Sequence, residues 1–183
     1  MLSALIASPW GTIELHTTHL PNGANHGWIK VETFEGIYQR LARSGDHPRI
    51  LCGDLNTPQA EQPDGTVITW GQDILSSGEA VCEGTWRDRA GREDTSVRWD
   101  VAERNVLTGL AAHDLPDIYR QLHGYTPQQF SWYWRGQGRE VSRRFDHVFA
   151  AAALDARGCH YLPEFRTDGL SDHAPIEAVF AVG

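Results

Sequence analysis

Arg49-Ile50-Leu51-Cys52-Gly53-Asp54-Leu55-Asn56 is the stretch on which the fold turns. The apolar run Ile50-Leu51-Cys52 lies between Pro48 and Gly53, the pattern of a short strand buried on both faces. Its exit, Gly53-Asp54-Leu55-Asn56, sets a carboxylate and a carboxamide two residues apart. In extended backbone both side chains project to one side, so they can serve one ligand. Upstream, Ile29 to Leu41 carries Val31, Phe34, Tyr38 and Leu41 at helical spacing, with Arg40, Arg43 and Gly45 as stop signals. Before that helix, Thr12 to Leu20 reads as a strand with Ile13, Leu15 and Thr17 on one face. It delivers His19 to a Pro21-Asn22-Gly23 turn.

Downstream, 57–99 gives weak signals and is expected to form surface loops with short elements, the Arg87 to Arg98 stretch being solvated. The spacing then predicts a helix over Val101 to Ala112 and strands at Gln129 to Trp134, Arg144 to Ala150 and Ile176 to Val182. Trp132 and Trp134 alternate on the first of these strands, which favours packing in the core, although Trp132 could also stack on a substrate base. The last strand is preceded by Ser171-Asp172-His173-Ala174-Pro175.

A chain of 183 residues with 40% hydrophobic content can bury one sizeable core, so one domain over 1–183 is expected. The formal charge of −8 argues against sequence-blind binding to nucleic acid through overall surface charge. Cys52, Cys82 and Cys159 are odd in number and widely spaced, which fits a reducing cytoplasm better than a disulfide framework or a cysteine-rich zinc site. The apolar opening Met1 to Ala7 is too short to span a membrane and reads as folded structure. His16, His26, His47, His113, His123, His147 and His160 lack partners at metal-ligand spacing and are expected on the surface or at caps.

Four clusters sit at predicted strand ends: Thr18 to Asn22, Gly53 to Asn56, Arg144 to His147 and Ser171 to Pro175. Their residue types suit attack on a phosphodiester, an anion that repels hydroxide and needs charge neutralisation, an activated water and a stabilised leaving group. Asp54 can accept the proton of water, and Asn56 can orient that water or hold a phosphate oxygen. His173 can act as a base or, protonated beside Asp146, donate to the phosphate. His19 and Asn22 would flank the phosphate, and Asp172 offers a hard oxygen to Mg²⁺ or Mn²⁺. Each also has a structural use: an Asx turn at Asp54 and Asn56, a turn cap at Asp172, a packed histidine at His173.

In this order the clusters resemble the motif series of the endonuclease/exonuclease/phosphatase family. Leu107 to Leu110, Ile118 to Arg120, Gln129 to Trp134 and Arg143 to Asp146 are similar to its exonuclease III and apurinic endonuclease branch. The resemblance implies a four-layer α/β/β/α sandwich of two mixed sheets and metal-dependent hydrolysis of a phosphodiester, with DNA the expected substrate. His19 departs from that branch, whose similar members carry Tyr there, and matches deoxyribonuclease I and sphingomyelinase-type relatives. A phosphatase or phosphodiesterase acting on a small molecule or lipid head group is therefore the alternative enzyme, and a silent binding module the alternative of another kind. The family also carries an earlier stretch with an Asn and a metal-binding Glu that has no counterpart here. The fold is thus expected to be incomplete at its N-terminus, with weak metal binding and self-association through the uncovered surface.

Overall fold

The computed structural model describes residues 1–9, 11–126 and 128–181, with the side chain of Asn25 left aside. Its centre is a mixed sheet of β1 (Leu2–Ser8), β2 (Gly11–His19), β3 (Arg49–Asp54) and β6 (Asp146–Ala150), in the order β1-β2-β3-β6. The β2 and β3 strands run parallel, and β1 and β6 flank them antiparallel. Parallel pairing needs a crossover, supplied by helix α1 (Trp28–Leu41), which begins and ends within a residue of the span its periodicity predicts. Helix α2 (Ser96–Leu107) packs beside α1. Trp28, Val31, Phe34 and Leu41 of α1 and Trp99, Ala102 and Val106 of α2 bury against Leu51, Leu55 and Phe149 on one face of the sheet.

The other face carries Ile50, Cys52, Val148 and Ala150, covered by α3 (Ile118–His123) and a separate antiparallel ladder of β7 (Ala156–Tyr161) and β8 (Ile176–Phe180). A detached hairpin, β4 (Trp132–Gly136) with β5 (Arg139–Arg143), stands at the end of the sheet where His19, Asp54 and Asp146 emerge. The described residues thus form a helix layer, a mixed sheet and a second, two-stranded layer.

Several sequence expectations are corrected. On β2, Ile13, Leu15 and Thr17 share one face as expected and are half-buried, while Glu14, His16 and Thr18 on the other are buried. Polar residues are tolerated there because they partner one another: Ser3 Oγ lies 2.7 Å from His16 Nδ1, and Arg43 donates to Glu14 at 2.9 Å. His16 is fully buried rather than at the surface, and burial lowers its pKa. His147 is likewise buried, between Asp117 Oδ2 at 3.0 Å and the Thr57 carbonyl at 2.9 Å. Trp134 is not core but 42% exposed, because among the described residues the ladder partner of β4 at that position is β5 alone.

The second helix starts five residues early, at Ser96, where the Thr95 hydroxyl accepts from Arg98 N at 3.2 Å. After Leu107 the chain continues as a 3₁₀ segment, Gly109–His113. The strand expected at Gln129 begins at Trp132, and the one expected at Arg144 begins at Asp146. The last strand ends at Phe180, and Val182 lies outside the described residues. Within 57–99 three short ladders form, and Arg92 and Arg98 are paired with Glu32 and Glu35 of α1 instead of being merely solvated.

Candidate active site

Register places the site. His19 is the cross-strand neighbour of Asp54, and Asp54 of Asp146, so three functional groups stand in a row over three strands. Neighbouring residues in register project to the same face, which gathers the three side chains without any loop having to choose a conformation. The chain leaves β2 and β3 still bonded: Leu20 N donates to Asp54 O, and Leu55 N to Phe145 O, both at 2.8 Å. Gly53 permits the close crossing. Its φ is +137°, and a Cβ there would sit 1.9 Å from the Thr18 carbonyl oxygen.

The Asx turn at Asp54 does form, and it serves the site. Asn56 has φ +50°, a left-handed conformation that Asn adopts more readily than most residues. Its N–H donates to Asp54 Oδ1 at 2.7 Å, and its carboxamide NH₂ donates to Asp54 Oδ2 at 3.2 Å and to the Leu20 carbonyl at 2.9 Å. The turn is fixed from below by residues that sequence reading missed. Lys30, 1% exposed, donates to the Asn56 carbonyl at 2.7 Å, as does Trp70 Nε1 at 2.9 Å. Lys30 also lies 3.3 Å from Glu103, which receives Trp99 Nε1, Trp70 N and the Thr57 hydroxyl. A lysine beside Val31 and four residues before Phe34, on the buried side of an amphipathic helix, was the available signal.

His173 arrives on a separate loop. Ala174 N donates to the Ser131 carbonyl at 2.7 Å, and His173 bridges to Trp132. The Ser131 hydroxyl accepts from Phe145 N at 2.9 Å and Asp146 N at 3.1 Å, tying that loop to the start of β6. His173 Nδ1 lies 2.6 Å from Asp146 Oδ2. With the proton on Nδ1 donated to the carboxylate, Nε2 is left for other partners. The hydrogen bond to Asp146 raises the pKa of His173 against the opposing effect of burial. Burial raises the pKa of Asp54, and the charge of Asp146 adds to the rise, while the Asn56 N–H works against it. His19 Nε2 is 3.4 Å from Asp54 Oδ2, with its side chain 77% exposed.

Ligand atoms of Asp54, Asp146 and His173 lie within 4.8 Å of one another, the arrangement a metal ion could use. Asp172 is exposed and outside that trio, though it lines the same cavity. The cavity has a volume of about 870 Å³ and is also lined by His19, Asn22, Asn56, Trp132 and Trp134. The carboxamide oxygen of Asn22 is engaged as a helix cap, accepting from Ala24 N at 2.9 Å. Trp132 is half-buried and stacks on Phe145 at 5.4 Å, with its edge on the cavity. All eight residues expected at the site from the sequence therefore line one cavity.

No family model matches the chain, and no curated protein matches it. Solved structures do. TDP2 of D. rerio complexed with a single-strand DNA product superposes with a TM-score of 0.58 at 15% identity, over 98% of this chain and 60% of that one. A D. rerio TDP2 humanized by 14 mutations gives 0.54 at 17% identity, over 93% and 55%. An endonuclease/exonuclease/phosphatase protein of Beutenbergia cavernae DSM 12333 gives 0.48 at 18%, over 95% and 37%. The chain spans at most 60% of the length of these proteins. Its fold is that of the TDP2 structures, in keeping with the family resemblance carried by the motifs.

Proposed function

We propose that this chain, a protein of the endonuclease/exonuclease/phosphatase fold, hydrolyses phosphodiesters with Asp54, Asn56, Asp146, His173 and His19 as its catalytic groups. The convergence of Asp54, Asp146 and His173 on one point of the cavity, from three distant segments, carries the reading. Unlike the buried pair of His147 with Asp117, this trio opens on the cavity.

The roles follow from the surroundings. Asp54, made more basic by burial and by Asp146, accepts a proton from the attacking water. Asn56 holds both carboxylate oxygens of Asp54 so that the accepting lone pair is fixed in direction. His173 in its protonated form donates from Nε2 to a non-bridging oxygen, and Asp146 keeps it oriented and charged. His19, exposed beside Asp54, is placed to donate to the leaving oxygen. Asn22 and Trp132 bound the substrate from the cavity walls.

The donor set fits a divalent cation. Two carboxylates are held together at the end of the sheet, and the pKa of Asp54 is raised, by burial first and by the charge of Asp146 as well, a rise that a cation would relieve. Asp54 and Asp146, with Asp172 from the rim, would hold Mg²⁺ or Mn²⁺, hard ions that prefer oxygen. Such an ion supplies charge neutralisation at phosphate and an acidified water.

DNA is the proposed substrate, supported by the likeness to a TDP2 that holds single-strand DNA and by the aromatic wall of Trp70, Trp132 and Trp134. The exonuclease III type is proposed from the motif runs alone. His19 and the charge of −8 favour a small diester as second reading. Three free cysteines support a reducing, cytoplasmic setting, and among the described residues no helix is long and apolar enough to cross a membrane. One domain, completed to a four-layer sandwich, is the proposed architecture.

The test is turnover of an abasic-site duplex, a single-stranded oligonucleotide and bis-p-nitrophenyl phosphate with Mg²⁺ or Mn²⁺. Cleavage abolished in Asp54→Asn supports the proposal. Turnover of the small diester alone selects the second reading, and binding without any turnover shows a silent module.

A further inference from the structure

Arg143 is, among the described residues, the cation of the cavity that no carboxylate pairs. Within the cavity the described Lys and Arg side chains are Lys30 and Arg143. Lys30 is spent on Glu103 and the Asn56 carbonyl. The adjacent Arg144 is spent on Glu61 and Asp117. Arg143, half-buried, has no acidic partner within 4.0 Å among the described residues. Its Nη1 donates only to the carbonyl of its neighbour Ser142 at 2.9 Å, and its Nε is buried with no hydrogen-bond partner. A buried guanidinium nitrogen left unbonded is costly, and it is the atom an anion would satisfy. Burial alone already weakens the hold of Arg143 on its proton.

Position says which anion. Arg143 is the cross-strand partner of Trp132 in the β4–β5 hairpin, and Trp132 in turn bridges to His173. His173, Trp132 and Arg143 are thus three steps of one row. Two strand spacings separate His173 from Arg143, roughly 10 Å at ~4.8 Å each. The guanidinium turns to Trp70 and, among the described residues, pairs with neither Asp146 nor another carboxylate of the site, which suits a phosphate beside the scissile one. The guanidinium lies 5.9 Å over the ring of Trp70, which is partly exposed in the same cavity and offers a flat apolar face beside the charge.

We infer that Arg143 with Trp70 forms a subsite for a non-scissile phosphate and its base, making this a site for single-stranded oligonucleotides over substrates with one phosphate. The inference rests on the phosphodiesterase reading and deepens it. Its first test therefore avoids catalysis. Binding of a fluorescent tetrathymidylate, measured without divalent metal over a range of salt, should weaken about tenfold in Arg143→Met. The salt slope of log affinity should drop by about 0.7, one phosphate contact on a single strand. Arg143→Lys keeps the charge and should retain the slope. In the unmutated protein, tetrathymidylate should show a steeper slope than thymidine monophosphate. Equal slopes for those two ligands, or unchanged binding in a folded Arg143→Met, would overturn the subsite whatever the fate of the hydrolytic reading. Where turnover is present, Arg143→Met should lower kcat/KM for tetrathymidylate relative to bis-p-nitrophenyl phosphate by about tenfold. An equal loss on both substrates would overturn the subsite while leaving hydrolysis in place.

Discussion

Replacing Lys30 by Met keeps the length of the side chain and removes its charge from a place that is 1% exposed. Removing one partner of a buried ion pair costs about 3–5 kcal/mol, because the other charge stays buried and uncompensated. Here the partner is well provided for. Glu103 keeps Trp99 Nε1 at 2.8 Å, Trp70 N at 3.0 Å and the Thr57 hydroxyl. The Asn56 carbonyl keeps Trp70 Nε1. The loss should fall at the low end, about 3 kcal/mol. For a chain of this size a kcal/mol is worth about 2–4 °C, so Tm should drop by about 6–12 °C. Adding Glu103→Gln removes the stranded charge, and the double variant should recover about 1 kcal/mol or more over Lys30→Met. Urea titration and calorimetry at pH 7 measure both. A single variant within about 2 °C of the parent Tm, or a double variant less stable than the single, would refute the idea that this pair is what anchors the Asn56 turn.

Other outcomes are expected from the same geometry. Asp54→Asn should lower kcat by about 10²–10⁴. Its stability should be equal or higher at neutral pH, since burial and Asp146 disfavour the ionised form that is lost. A thermal melt and steady-state kinetics decide this. Asp146→Asn should lower the pKa of His173, followed by NMR titration of its ring protons. The raised folded-state value means that the stabilisation is fully present below pH 6.5 and is lost as pH rises through the raised value, so the two proteins should converge in stability at alkaline pH. A His173 resonance that titrates identically in both would sink the pairing. Gly53→Ala should cost about 3 kcal/mol or more, because the Cβ collides with the Thr18 carbonyl in a backbone conformation that L-residues avoid. A near-native melt would contradict the parallel register. Strand β1 exposes Leu2, Leu5 and Ile6, and it pairs only with β2 among the described residues, so light scattering should show concentration-dependent self-association that Leu5→Lys reduces.

What the sequence revealed and what it hid divide along a physical line. Helix α1 and strand β3 were legible because their apolar spacing is strong and local. That the eight residues proposed for the site would line one cavity was foreseeable for those at strand exits, because strands in register bring their ends together. His16 was placed at the surface because its burial rests on partners such as Ser3, which spacing along one strand does not reveal. His147 was placed outside because its acceptors, Asp117 and Thr57, come from remote segments. Trp134 has the alternation of a core strand, yet its hairpin stands off the sheet, so period alone could not say whether a second layer would cover it. Lys30 and Arg143 are single cations among many, and only the list of their partners separates the neutralised one from the free one.

The row His19, Asp54, Asp146, with His173 behind it, draws on segments spread along most of the chain. That spread has a kinetic meaning. Bringing distant segments together lengthens the loops that must close, at an entropy that grows only with the logarithm of loop length, but it slows folding markedly. The α1–β3 crossover unit and the helix pair can form from sequence-local contacts. The β3–β6 pairing and the His173 loop must wait for contacts between residues far apart in the sequence. In refolding, the sheet and helix layer should therefore form before the His173 loop docks on Asp146, so the catalytic competence proposed for the site would follow the fold rather than accompany it.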